Sequence, residues 1–204
     1  MILSACLAIL NSSSLALREK LFNYTDALME VLLKSLQAVE LHRNVKPTII
    51  ASFGDIALAI GARFEKYLPF VGTVLMQACE AQVDTHTEEM ISYLNLLREN
   101  VLEAYIGILL GFKKENPQAF IPYVDSLLSF VKIVYEDPNT DQEVFRNAVS
   151  IVGDLANVYE MKIRQSLQYE FIRKLIEDAC NSVDSETKQR GNKAKKYLKK
   201  ISLF

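Results

Sequence analysis

The chain has 204 residues, half of them apolar, with only seven glycines, five prolines and three cysteines. This composition favours an all-helical protein, and the dispersed Cys6, Cys79 and Cys180 argue against a disulfide framework or a zinc site. Residues 1–187 carry 16 basic and 25 acidic side chains, a net charge of −9, whereas residues 188–200 carry seven basic ones and no acid. An acidic body argues against nucleic acid as the main partner and suits a basic protein partner.

Apolar residues recur with the helical period along the chain, interrupted by polar, proline or glycine breaks. In chain order, helices are predicted over about residues 1–10, 24–38, 45–60, 64–83, 90–112, 117–135, 144–155, 163–176 and 186–203.

Several predicted boundaries follow from local signals. Gly61 is expected to end the third helix, and Pro69 predicts a kink or a late start in the fourth. Thr87 is a plausible N-cap for the longest helix, and Asp184 or Ser185 for the basic terminal one.

One short pattern occurs twice in the chain. Residues 52–57 read Ser-Phe-Gly-Asp-Ile-Ala and residues 151–156 read Ile-Val-Gly-Asp-Leu-Ala. A repeated helix pair of forty to fifty residues is typical of HEAT or armadillo arrays, and a globular bundle would not require the repeated Gly-Asp. Glycine would let neighbouring helices approach, and aspartate could accept backbone hydrogen bonds. The expected structural positions are Pro47, Gly54, Asp55, Gly153 and Asp154.

The predicted fold is therefore an all-α, right-handed α-solenoid of HEAT repeats, with about four antiparallel helix pairs and a C-terminal capping helix. The expected repeats are 1–40, 41–85, 86–137 and 138–182, followed by the basic helix 183–204. The Lys-rich helix could bind an acidic partner or RNA, but Tyr197, Leu198 and Ile201 favour a docked cap.

Enzymatic chemistry has no support in the sequence. The chain contains no GxSxG, no P-loop, no HExxH and no Cys–His pair at a plausible turn. We therefore expect no catalytic site, no cofactor and no metal, and no segment that spans a membrane.

Residues 42–47 (His-Arg-Asn-Val-Lys-Pro) run into Phe53–Gly61 and then into Phe64–Leu68. These segments closely resemble the C-terminal region of the importin beta, or karyopherin beta, family. Further similar segments are Ala81–Asp84, Tyr93–Asn95, Leu97–Glu99, Leu102–Tyr105, Gly153–Leu155 and Asn192–Lys195. The resemblance spans nearly the whole chain and is strongest over residues 42–112.

The resemblance implies a fragment of a nuclear import receptor, found in cytoplasm and nucleus and at the nuclear pore. It implies binding of the basic segment of importin alpha, or of other basic cargo, on the inner face formed by second helices. It implies binding of phenylalanine-glycine nucleoporins on the outer face, between first helices. The GTPase Ran is expected to bind mainly to an N-terminal part that this chain lacks.

Acidic residues on the predicted second helices are the candidates for the inner face, because a basic ligand needs dispersed carboxylates. They are Glu80, Asp84, Asp125, Glu136, Glu177 and Asp178. Candidates for the nucleoporin contacts are Phe53, Leu94, Leu97 and Val101. The family stacks tryptophans on its ligands, but this chain has none, which leaves Tyr67, Tyr123 and Tyr169 for that role. Another HEAT scaffold, such as a phosphatase regulatory subunit, is the alternative function.

Overall fold

The computed structural model describes residues 24–38, 42–81, 83 and 85–204. The predicted first helix lies outside these residues. Eight α-helices follow one another in the described part: α1 (Thr25–Gln37), α2 (Val45–Ile60), α3 (Leu68–Cys79), α4 (Glu88–Phe112), α5 (Val124–Glu136), α6 (Gln142–Tyr159), α7 (Glu170–Asn181) and α8 (Ser185–Lys200). Short 3₁₀ helices precede α3 (Gly61–Tyr67) and α5 (Pro117–Tyr123) and follow α6 (Glu160–Ile163).

The helix boundaries follow the capping signals of the sequence. The Thr87 hydroxyl accepts a hydrogen bond from the backbone N–H of Met90 at 3.3 Å, which confirms the predicted N-cap of α4. Asp184 caps α8 in the same way, accepting from the Thr187 N–H at 2.7 Å. Gly61 ends α2 with φ of +61°, a conformation that glycine adopts without strain.

Three predicted helices begin later than the apolar spacing indicates. The fourth begins at Leu68, which confirms the late start that Pro69 predicts, and the preceding 3₁₀ helix carries the earlier apolar residues. The helix predicted over 117–135 begins at Val124, because Pro117–Tyr123 is a 3₁₀ helix. The predicted helix over 163–176 is interrupted, and α7 begins at Glu170. Apolar spacing alone predicts longer helices, because over a few residues a 3₁₀ turn places its apolar side chains on the same face as an α-helix would.

From α2 onward the helices form two rows, in which each helix packs against the one two positions along the chain. One row contains α2, α4, α6 and α8, and the opposite row contains α3, α5 and α7. Buried apolar side chains fill the space between the rows; they include Phe53, Ile108, Leu127, Val152 and Leu175. Leu198 and Ile201 of the basic C-terminal segment are buried as well, so α8 is docked as expected. The repeat boundaries stay predictions.

The turn between α5 and α6 is held by two polar residues of α4. The Arg98 guanidinium lies 2.8 Å from the Asp137 carboxylate, and both side chains are largely buried. The Asn95 amide donates to the Asn139 carbonyl at 2.8 Å. These contacts fix α4 against the following helix pair.

In the described part of the chain, one stretch, Val45–Cys79, is long and apolar enough to cross a membrane by length and composition alone. Here it is α2, a 3₁₀ turn and α3, and its side chains Phe53, Ile56 and Leu75 are fully buried in the core. Of the apolar window in this stretch, 44% is buried inside the fold.

Candidate functional site

A groove of about 560 Å³ runs across the row of α2, α4, α6 and α8. Small residues lie along it: Ala51, Gly54, Gly107, Gly153 and Ala194. All four helices contribute, so the groove is a product of how the row packs. We call this cavity the groove below.

Glycines set the spacing of these helices. A Cβ atom on Gly107 would lie 2.6 Å from the Cα of Gly54, and one on Gly153 would lie 2.8 Å from the Ala194 Cβ. Real Cβ atoms essentially never approach so closely. Helix α4 therefore packs backbone to backbone on α2, and α8 packs closely on α6.

Three carboxylates line the groove: Asp55 on α2, Glu103 on α4 and Asp154 on α6. Burial, followed by the charges of Glu99 and Asp55, raises the pKa of Glu103, and Arg190 only partly opposes this shift. Burial also raises the pKa of Asp154, against the opposing charge of Lys193. The groove therefore holds negative charge in a partly desolvated setting, where an added cation is favourable.

Basic and amide groups line the other end of the groove. Arg190 donates to the Asn147 side-chain oxygen at 3.0 Å, to the Ser150 hydroxyl at 3.3 Å and to Glu186 at 2.6 Å. Lys193 lies 4.0 Å from Asp154. These groups belong to α6 and α8, and each cation has a carboxylate partner at this end: Glu186 for Arg190 and Asp154 for Lys193.

The acidic residues proposed from sequence lie elsewhere. Of the five that the structure describes, none lines the groove; Glu80 follows α3, Asp125 and Glu136 lie on α5, and Glu177 and Asp178 on α7. Asp84 falls outside the described residues. Three of the five have contacts within the chain. Glu136 lies 3.8 Å from Lys132, and Glu177 lies 3.1 Å from Arg173. The Asp178 carboxylate accepts a hydrogen bond from the Tyr135 hydroxyl at 2.7 Å.

The apolar residues proposed for nucleoporin contacts lie in the core. Phe53 and Val101 are fully buried, and Leu94 and Leu97 are no more than 7% exposed. The apolar stripe of a helix marks its core side, so these side chains face other helices, and their contact with nucleoporins stays a prediction.

A different cleft lies between α5 and the start of α7. Its volume is about 320 Å³; Leu128, Tyr169 and Phe171 line one part of it, and Asp125, Ser129 and Lys132 line the rest. The rings of Tyr169 and Phe171 stack with centroids 5.9 Å apart, and Tyr169 is 57% exposed. We call this site the α5–α7 cleft.

Sequence reasoning missed three groove residues: Glu103, Asn147 and Arg190. Glu103 lies four residues before Gly107 on α4, hence on the same side as the glycine that contacts α2. A run of small residues at helical spacing, with a carboxylate beside it, was the available signal. Asn147 and Arg190 gave none, since their pairing joins positions 43 residues apart.

No group of three or more His, Cys, Asp and Glu side chains could hold a metal ion within the described residues. The two cysteines in that part, Cys79 and Cys180, are free thiols.

Comparisons with known proteins give the family. A family model described as importin subunit beta-1-like, TPR repeats, matches residues 3–180. The chain is 37% identical over 177 residues to importin subunit beta-1 of Arabidopsis thaliana, covering 84% of this chain and 20% of that protein. It is 32% identical over 186 residues to importin subunit beta-1 of Schizosaccharomyces pombe, covering 90% of this chain and 22% of that protein. The chain thus spans about a fifth of the length of these relatives.

Solved structures give the same result for the fold. Yeast importin-beta (Kap95p) superposes with a TM-score of 0.85 at 28% identity, over 97% of this chain and 24% of that one. Kap95 in a complex with Nup1 has a TM-score of 0.87 at 29% identity, over 99% of this chain and 24% of that one. The fold is that of the importin-beta HEAT solenoid. The chain belongs to the importin beta family.

Proposed function

We propose that the chain acts within a nuclear import receptor, and that its groove takes part in binding the basic segment of importin alpha. One observation carries this proposal: Asp55, Glu103 and Asp154, from three different helices, line a single groove in a chain of this family.

The electrostatics of the groove support a cationic ligand. Burial disfavours the ionised form of Glu103, and neighbouring carboxylates add to this cost. A lysine or arginine brought by a ligand offsets that cost, which makes the groove a more favourable place for a cation than a fully hydrated surface acid.

This proposal departs from the sequence expectation. It places the basic ligand on the row of α2, α4, α6 and α8, which contains the first helices of the expected pairs, rather than on the opposite row of second helices that holds the acids proposed from sequence. Two matched double variants separate the surfaces. Asp55→Asn with Glu103→Gln removes two charges from the groove, and Glu177→Gln with Asp178→Asn removes two from α7. Binding of a peptide of the importin-alpha basic segment is measured by calorimetry at low and physiological salt.

We expect the groove variant to bind the peptide at least about tenfold more weakly at low salt, and the α7 variant to bind within about twofold of the unmodified chain. The affinity of the unmodified chain should fall as salt rises, because exposed charge pairs are screened. The reverse order of the two variants would assign the ligand to the opposite row. No binding by the unmodified chain would refute the proposal for this chain.

A second function is favoured by the α5–α7 cleft. The exposed Tyr169 ring, stacked on the partly buried Phe171 beside Leu128, offers an aromatic contact surface in this cleft. One of the similar solved structures is a Kap95:Nup1 complex. We infer that this cleft accepts phenylalanine-glycine segments of nucleoporins.

Binding of a phenylalanine-glycine peptide, followed by NMR titration, tests the cleft. Tyr169→Ala should weaken binding several-fold, since one aromatic contact is worth about 0.5–1.5 kcal/mol. The control is Phe70→Ala, which removes a 64% exposed aromatic ring that does not line the cleft. Equal binding by both variants would exclude this site.

The remaining parts of the proposal concern the whole receptor. We propose Ran as a partner, with its main contacts outside this chain; one similar structure is that of Kap95p with RanGDP. We propose movement between cytoplasm and nucleus, with association at the nuclear pore, and a transport role without catalysis.

A further inference from the structure

Helix α8 carries a row of lysines along one side. Lys188, Lys195 and Lys199 follow one another at steps of seven and four residues, close to whole helical turns, so they span about 17 Å of one side of the helix. Lys188 and Lys199 are exposed, and Lys195 is half-buried. The row lies near α7: burial raises the pKa of the Cys180 thiol at the end of α7, and the charges of Lys195 and Lys188 oppose this rise. We call these three residues the lysine row.

The lysine row has no carboxylate partner. No Asp or Glu oxygen lies within 4.0 Å of its ammonium groups in the part of the chain that the structure describes. Three exposed lysines on other helices differ, because Lys34, Lys132 and Lys174 each form an ion pair with a glutamate four residues away. Lys195 and Lys199 are instead like charges one turn apart, which repel each other. The row therefore holds positive charge that an anionic partner would neutralise.

A pocket adjoins the lysine row, between the start of α7 and the end of α8. Its volume is about 260 Å³, and part of its lining is polar, including Gln168 and Arg173. Its buried apolar lining consists of Leu167, Ile172 and Leu198. The Phe204 ring also lines the pocket and connects it to the row, since the Lys195 Nζ lies 5.3 Å from the centroid of this ring. An apolar side chain in this pocket, which we call the α7–α8 pocket, would therefore lie close to a cation of the row.

Two carboxylates near the pocket are already paired on α7. Glu170, which lines the pocket, lies 2.9 Å from Lys174, and Glu177 lies 3.1 Å from Arg173. Both are exposed pairs between residues four apart, a kind that contributes little to stability. They leave the lysine row as the uncompensated charge on this side of the helix.

The charge of the whole chain favours an acidic protein segment over nucleic acid as the partner. Residues 1–187 carry 16 basic and 25 acidic side chains, so a long polyanion would be repelled over most of the surface. A short acidic helix of about three turns matches the length of the row and can place one apolar side chain in the α7–α8 pocket. Helix α8 also lies beyond residues 3–180, which the family model matches.

We propose that the lysine row and the α7–α8 pocket bind an acidic helical segment of a partner protein. Its carboxylates, one or two helical turns apart, lie against Lys188, Lys195 and Lys199, and one large apolar side chain enters the pocket. None of the three lysines lines the groove, so this surface is separate from it. The inference therefore goes beyond the proposed function and does not depend on it.

Fluorescence anisotropy with designed peptides tests this proposal. The probe is a labelled helical peptide with glutamates along one side and a single leucine beside them. We expect it to bind the unmodified chain at low salt and several-fold more weakly at physiological salt, because exposed charge pairs are screened. Replacing its leucine by alanine should weaken binding about tenfold, since the burial of a large apolar side chain is lost. A labelled oligouridine RNA serves as the alternative anion.

Two matched triple variants assign the binding to residues. The row variant carries Lys188→Gln, Lys195→Gln and Lys199→Gln, and should bind the peptide at least about tenfold more weakly. The control variant removes the same charge from three exposed lysines outside α7 and α8, Lys34→Gln, Lys114→Gln and Lys162→Gln, and should bind within about twofold of the unmodified chain. Thermal unfolding checks folding, and the row variant should be at least as stable as the unmodified chain because a like-charge pair is removed.

The other outcomes overturn the proposal. Equal weakening in both variants would show that only net charge matters. Tighter binding of the RNA than of the peptide would assign the row to nucleic acid. No binding of the peptide by the unmodified chain would leave the lysines a role in solubility alone. None of these results bears on the binding of a basic segment in the groove, so the two proposals fail separately.

Discussion

The close approach of α2 and α4 predicts that Gly107→Ala destabilises the chain, although alanine is the better helix former. The added Cβ would lie 2.6 Å from both the Cα and the carbonyl oxygen of Gly54, whereas ordinary contacts lie at 3.4–4 Å. Both obstructing groups are backbone atoms, which have no rotamer to change. The two helices must therefore move apart by roughly 1 Å.

The size of the effect follows from two opposing terms. Replacing glycine by alanine inside a helix gains about 0.5–1 kcal/mol. Overpacking of a close-packed interface costs about 1–3 kcal/mol, and the upper end applies where backbone meets backbone. The net loss is about 1–2 kcal/mol, which lowers the unfolding midpoint of a chain of this size by about 2–8 °C.

Urea and thermal unfolding, followed by circular dichroism, measure this loss. The control is Ser92→Ala, an exposed position on the same helix, where alanine should be neutral or stabilising by up to about 0.5 kcal/mol. Because Gly107 lines the groove, Gly107→Ala should also weaken the binding of a basic peptide. A Gly107→Ala chain as stable as the unmodified one would refute the backbone packing on which the groove depends.

Three further predictions concern buried polar groups. Arg98→Ala leaves the Asp137 carboxylate without its ion-pair partner and should cost about 2–4 kcal/mol in urea unfolding. Burial alone would raise the pKa of Asp137, but hydrogen bonds from the Asn139 backbone N–H and from Arg98 outweigh burial, so the pKa is lowered. The ion pair therefore stabilises the fold fully above pH 3.8, and this stabilisation is lost as the pH falls through the folded-state pKa. A loss of stability in Arg98→Ala that persists in acid would contradict this reasoning. Burial raises the pKa of Asp154, so its contribution to stability falls as the pH rises through the folded-state pKa. The Asp154→Asn variant should therefore unfold at a higher temperature at pH 7, yet bind a basic peptide a few-fold more weakly. A lower unfolding midpoint of this variant would contradict the prediction. Burial also raises the pKa of Cys79 to about 12, so little reactive thiolate is present at pH 8. Iodoacetamide should therefore modify Cys79 in the folded chain more than about a hundredfold more slowly than in the chain unfolded in urea, as measured by mass spectrometry. Similar rates in both states would show an accessible thiolate.

Local signals in the sequence predicted most of the helices. The threonine cap at 87, the glycine stop at 61 and the aspartate cap at 184 are effects within one turn of backbone, so they depend little on the rest of the fold. The predicted helix starts that are too early, at 64, 117 and 163, come from apolar spacing, which does not distinguish an α-helix from a short 3₁₀ turn.

The repeated Gly-Asp pattern was the most informative feature of the sequence. Both glycines lie at close helix contacts, and both aspartates line the groove. The pattern by itself predicts only a structural role, because a sequence does not tell which side of a row of helices is open. The candidates that the sequence offers for the ligand are therefore the acids of the opposite row.

By itself, the sequence determined the helical class, the capped helix ends and the family, because these depend on local backbone chemistry and on residue identity. Only the tertiary structure decided that Phe53 and Val101 are core residues, since helical periodicity gives an apolar side but not what covers it. It also decided that Glu103, Asn147 and Arg190 line one groove. These residues come from three helices distant in sequence, and their proximity results from packing between helices, which no local pattern encodes.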